Sequence, residues 1–152
     1  MYMYKERTLI SSSLALLYRH YIESFSRLDI SAVKQCYVLP CILSTPDKVI
    51  LLDNEDTFEK EFFDIFNVLK QEAINGFKTS NASFSQINEN LVVVSIDWQF
   101  LQGANNLFTE FTAIYHLTKQ GDKFKIANVI SQDISQAISL EHSLTINVEN
   151  KE

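Results

Sequence analysis

Four side chains able to hold a ligand fall at positions whose spacing points them inward: Tyr21, Trp98, Tyr115 and Asn128. Tyr21 shares a helical face with Leu14, Leu17, Tyr18 and Phe25. Tyr115 alternates with Phe111, Ala113 and Leu117, Trp98 with Val94, Ile96 and Phe100, and Asn128 has the strand parity of Phe124, Ile126 and Ile130. A phenol in apolar surroundings can donate a hydrogen bond to a ligand oxygen, and a buried amide requires partners. The same residue types also serve as plain core: a tyrosine hydroxyl with a structural partner is common, and a tryptophan fills volume first. Pocket and structural uses both stay open on these residues.

Other chemistries find less support. His20, His116 and His142 are scattered, with no ligand-spaced partners. Glu110 and His116 share strand parity but stand six residues apart, roughly 20 Å at strand rise. Glu55, Asp56, Glu59 and Glu61 crowd the start of a helix, where acidic groups complement the dipole, and read as a solvated face. Cys36 and Cys41 flank Pro40 and match neither a disulfide framework nor a zinc site, so they read as small buried hydrophobes in a reducing, cytoplasmic compartment. With three glycines in the chain, no phosphate loop or nucleophile elbow occurs. No metal and no cofactor is expected.

The elements that must position these residues follow from periodicity. The first helix carries Leu14 to Phe25 on one face, and Asp29 caps a short second helix through Ala32, Val33 and Cys36. Residues 38–52 turn β-rich, with Cys41-Ile42-Leu43 and Val49-Ile50-Leu51-Leu52 joined by the turn Thr45-Pro46-Asp47-Lys48. Asp53 or Asn54 caps the longest helix, where Phe58, Phe62, Ile65, Phe66, Leu69 and Ala73 repeat until Asn75-Gly76 stops it. A weaker strand over 78–87 precedes two hairpins, one turning at residues 102–106 and one at Gln120-Gly121-Asp122. Residues 139–152, with Leu140, Leu144, Ile146 and Val148, fit a docked tail, an extra strand or a loose end. Helices segregated from an antiparallel meander define an α+β class: three N-terminal helices on a mostly antiparallel sheet.

The 152 residues, 46% of them hydrophobic, suit one domain with its own core. A net charge of −6 without clustered Lys or Arg sets nucleic acid aside as a partner. No apolar run approaches the roughly 20 residues that cross a bilayer, so no membrane is expected. Residues 9–17 follow Lys5 and Arg7 as a signal peptide's apolar region would, but they run into Tyr18-Arg19-His20-Tyr21 without a small-residue cleavage site.

The order of elements, with Leu28-Asp29, Ser44-Thr45-Pro46, Gly76-Phe77, Trp98 and Gly121-Asp122-Lys123-Phe124-Lys125-Ile126, resembles the nuclear-transport-factor-2-like superfamily over about residues 14–133. The resemblance implies a curved, cone-shaped sheet and a cavity between helices and sheet. Laid on the ketosteroid isomerase branch through Asp29, the family's oxyanion-stabilising tyrosine falls on Tyr21. The catalytic aspartate falls on Thr45, ahead of Pro46, and the second oxyanion donor on Tyr115. A threonine hydroxyl is far too weak to take a carbon-bound proton, which removes that mechanism while leaving two phenols.

The reading that follows is a protein that binds a small apolar ligand through Tyr21, Thr45, Trp98, Tyr115 and Asn128 and pairs as a homodimer through its sheet. The alternatives are a metal-independent lyase, isomerase or cyclase using the same pocket, and a non-catalytic interaction module whose cavity is vestigial.

Overall fold

A computed structural model describes residues 2–103 and 105–146 of the chain, with side chains from residue 7 onward. The turn residue Ala104 and the tail residue Val148 lie outside the described residues.

The first helix, α1 (Tyr2–Ser26), buries Leu14, Tyr18, Tyr21, Ile22 and Phe25, the stripe that spacings of three and four lay on one face. It starts well before Leu14 and takes in residues 9–17 as further helical turns. Asp29 then caps α2 (Ile30–Lys34), its carboxylate accepting from the Ala32 N–H at 3.0 Å. Strands β1 (Tyr37–Ser44) and β2 (Val49–Leu52) form the expected hairpin, with Pro40 inside β1. The third helix, α3 (Glu55–Gln71), comes after this hairpin, in the order that periodicity predicts: two helices, two short strands, then the long helix.

Asn54, rather than Asp53, caps α3, accepting from Thr57 N–H at 2.9 Å while Thr57 returns a bond to the Asn54 N–H. Phe58, Phe62, Phe66 and Leu69 form its buried stripe. The helix ends at Gln71, short of Asn75-Gly76, because Ala73 turns into the left-handed region at φ 55°. Ala73 therefore terminates the helix instead of extending its apolar face.

The rest is a meander: β3 (Ile74–Asn88), β4 (Leu91–Gln102), β5 (Asn106–Gln120) and β6 (Lys123–Asp133). A two-residue β7 (His142–Ser143) completes a seven-stranded sheet in the order β2-β1-β6-β5-β4-β3-β7. Every pairing is antiparallel except β1 with β6. The architecture is α+β, three helices against a curled, mostly antiparallel sheet. Val92, Val94, Ile96 and Trp98 face inward from β4 and are at most 3% exposed.

Two departures from simple alternation matter. In β6 the register slips: Leu117 pairs with Ile126 and His116 with Asn128, leaving Ala127 as an extra residue. This bulge reverses the parity of all that follows, turning Val129 and Ser131 inward and Asn128 and Ile130 outward.

The second departure is after Asp133, where the chain crosses the outer face of the sheet. A short 3-10 turn, Ile134–Gln136, leads to Leu140 and Glu141, whose N–H groups donate to Ser83 and Ser85 Oγ at 2.9 and 3.0 Å. Ser95, Asp97 and Thr112 are outward positions yet are at most 7% exposed. Within the described residues the tail is thus a docked strap that includes a short extra strand, with Leu144 anchored in the core at 5% exposure and its N–H bonded to the Ala82 carbonyl at 2.9 Å.

Candidate functional site

A cavity of about 360 Å³ opens between α1, α3 and the inner face of the sheet. Tyr21, Thr45, Trp98 and Tyr115 all line it. Asn128 does not: the bulge at Ala127 sends it to the outer face beside His116 and Ile42, and Val129 and Ser131 take its place on the wall.

Depth sorts the lining by chemistry. The floor is aromatic and buried, with Tyr21, Tyr37, Trp98 and Tyr115 at most 8% exposed. Phe25 stacks on Tyr21 at a centroid distance of 4.7 Å, and the Trp98 rings lie 5.9 Å from Tyr21. The mouth carries the polar residues Ser44, Thr45, Lys48 and Glu61.

The polar atoms on the floor are chained. Trp98 Nε1–H donates to Tyr115 Oη at 2.8 Å, and the Tyr21 and Tyr37 hydroxyls share a hydrogen bond at 3.2 Å. Burial pushes the Tyr21 phenol well above its ordinary value, with the neighbouring Tyr37 adding to the rise. Burial likewise raises Tyr37 and Tyr115, and each is raised further by another phenol of the cluster. These groups keep their protons at neutral pH and act as donors, never as anions.

Thr45 stands at the exposed mouth, and its hydroxyl is occupied. Oγ1 accepts from the Asp47 and Lys48 N–H groups, each at 3.3 Å, and the Thr45 N–H donates to the Lys48 carbonyl at 2.9 Å. The side chain builds the β1–β2 turn and offers the cavity its surface rather than a free hydroxyl.

Of the lining residues that escaped the sequence reading, Tyr37 and Glu61 matter most for the cavity's chemistry. Tyr37 stands at the first position of β1, ahead of any alternation that would mark its face. Glu61 was grouped with a solvated acidic face, but only part of that group behaves so. Glu55 and Glu59 each bind Lys34 Nζ at 2.8 Å, whereas half-buried Glu61 lines the cavity. The signal was present: Glu61 sits three residues after Phe58 and four before Ile65, at the margin of the apolar stripe.

Among the described residues, no three His, Cys, Asp or Glu side chains converge as a metal-binding set. Cys36 and Cys41 are free and buried, and burial pushes their thiols up to about 12 and about 11.

Helices closing a cavity over a curled antiparallel sheet define the NTF2-like, cystatin-like class of fold. Residues 13–134 match the family described as NTF2-like protein (DUF6841), and the chain belongs to that family. Among solved structures, an NTF-2 like protein of unknown function from Shewanella oneidensis MR-1 is 14% identical, with a TM-score of 0.66 over 80% of this chain and 98% of that one. An NTF2-like protein with a cystatin-like fold from Novosphingobium aromaticivorans is 8% identical, with a TM-score of 0.70 over 89% of each chain. A ketosteroid isomerase-like protein from Erwinia carotovora atroseptica is 14% identical, with a TM-score of 0.63 over 81% of this chain and 95% of that one. At such identities the likeness is one of fold. No curated protein matches the chain in sequence.

Proposed function

We propose that the cavity binds a small, mostly apolar molecule that presents a hydrogen-bond acceptor oxygen to the phenols of its floor. The observation that carries this reading is a surplus of donors. Trp98 can only donate, and Tyr21, Tyr37 and Tyr115 each carry one O–H, so the floor holds four polar protons. Even if Tyr115 donates to Tyr21, the chain Trp98 to Tyr115 to Tyr21 to Tyr37 uses three of them. One hydroxyl proton is left for an occupant, and in dry surroundings such a donor counts for more than in water.

The volume supports an organic ligand: about 360 Å³ is many times the roughly 30 Å³ share of one water, unlike the vestigial cavity of an interaction module. The catalytic alternative needs a base; Thr45 does not supply one, and Glu61 is the carboxylate on the lining that could. In that chain of donors the free proton is the one on Tyr37, so Tyr37→Phe should weaken binding of a ketone probe such as 2-acetylnaphthalene about tenfold, measured by titration calorimetry, with the thermal midpoint largely kept. Unchanged affinity would count against the assignment.

Homodimerisation through the sheet belongs to the same proposal, on the part of the outer face that the strap leaves open. There Val49 and Leu51 are 71% and 58% exposed, and the outward positions Ile42, Ile114 and Ile130 continue the apolar surface across neighbouring strands. Leu51→Asp should convert a dimer to a monomer in sedimentation velocity runs; a wild-type chain that sediments as a monomer would defeat the idea. A reducing, cytoplasmic setting fits the two free, buried cysteines. Among the described residues no helix is long and apolar enough to cross a membrane.

A further inference from the structure

We propose that Glu61 makes the cavity selective for a ligand with two unlike ends, an acceptor oxygen directed to the phenol floor and a protonated amine held at the mouth. The inference rests on the acceptor-binding reading of the floor and adds the identity of the outer end.

Glu61 is placed by its helix. It directly precedes Phe62, which is 2% exposed and stacked on Phe58 at 4.5 Å, so the stripe that fixes α3 against the core also fixes Glu61 at the cavity's edge. The residue as a whole is half-buried, and its carboxylate has no ion-pair or hydrogen-bond partner among the described residues. The contrast lies on the same helix, where Glu55 and Glu59 are both served by Lys34. An unpaired carboxylate on the lining of an apolar cavity gains more from an arriving cation than one in open solvent does, because a seated ligand displaces water from its side.

Lys48 is the other charge on the lining, and it does not answer Glu61. It belongs to the β1–β2 turn, is exposed, and forms no ion pair with Glu61 within 4 Å. An exposed ammonium attracts a ligand's anionic end weakly, so Glu61, held at the cavity's edge by the α3 stripe, decides the preference. The net charge of −6 acts in the same direction by drawing cations toward the protein. Donors on the floor and an acceptor at the mouth then orient the ligand oxygen-first.

The test compares 2-acetylnaphthalene with its 6-aminomethyl derivative by titration calorimetry at neutral pH. Wild type should bind the amine about tenfold more tightly. Glu61→Gln should bring the two ketones to equal affinity, whereas Tyr37→Phe should weaken both by a common factor and preserve their ratio. Equal binding of the two ketones by wild type, or a preference that survives in Glu61→Gln, would overturn the assignment while leaving the acceptor pocket standing. Failure of either ketone to bind wild type would overturn the pocket reading and this one with it. Deuterium uptake into the acetyl methyl group that depends on Glu61 would make the residue a base and overturn its role in amine recognition.

Discussion

Past pH 10 the protein is expected to lose its fold steeply, with tyrosinate absorbance and loss of helical circular dichroism appearing together. Burial raises the phenols of Tyr18, Tyr21, Tyr37 and Tyr115 well above the ordinary tyrosine value. Below about pH 10 all four are neutral in both folded and unfolded chains, and their contribution to stability is intact. Above it the unfolded chain releases these protons while the folded chain retains them, so the folded state binds more protons and stability falls as pH rises. Each buried phenol removes about 1.4 kcal/mol per pH unit, and four together remove about 5 to 6, comparable with the whole stability of a small domain. Cys36 and Cys41, also raised by burial, begin the decline from about pH 8.5. Tyr18→Phe should make the fall shallower by about a quarter, because one of four phenols is gone. Phenols that titrate near pH 10 in a chain that keeps its circular dichroism would show that the cluster is open to water.

The second large effect concerns the wall behind the cavity. Phe58 is fully buried, stacked on Phe62 at 4.5 Å and edge-on to Tyr37 at 5.2 Å. Phe58→Ala removes a ring from a packed interior and should destabilise the protein by about 3 to 5 kcal/mol, read as a lower urea midpoint. The loss carries over to binding. Tyr37 is held between Phe58 and Phe62, 5.6 Å from the latter, so the hydroxyl partner of Tyr21 loses its rear support. A weakened ketone affinity in Phe58→Ala, although Phe58 does not line the cavity, is therefore expected. A change in midpoint below about 1 kcal/mol would mean that the neighbouring rings close the gap.

The fold was legible in sequence wherever burial is one-sided and uninterrupted. The α1 stripe, the β4 alternation and the Asp29 cap are local patterns with local causes, and each has its counterpart in the structure. The site was legible only where it borrows those patterns, as at Tyr21, Trp98 and Tyr115. Asn128 failed because a bulge adds no residue type of its own, and parity counted across Ala127 returns the wrong face. Glu61 failed because its place at the margin of the apolar stripe, three residues after Phe58 and four before Ile65, was outweighed by the acidic neighbours that face water. The burial of Ser95 was hidden for a third reason: the strap residues beside it, Ile138 to Leu140, lie more than forty positions away in the chain. Contacts of that range leave no periodic trace.

The extra residue at Ala127 also gives the cavity a margin against a shortened chain. Deleting Ala127 would remove the bulge and set Ile126 beside Asn128, restoring uniform alternation along β6. Asn128 would still stand opposite His116 and Val129 opposite Tyr115, so Val129 and Ser131 would keep facing the cavity. A codon can therefore be lost at this one position while cavity wall and outer surface each keep their residues.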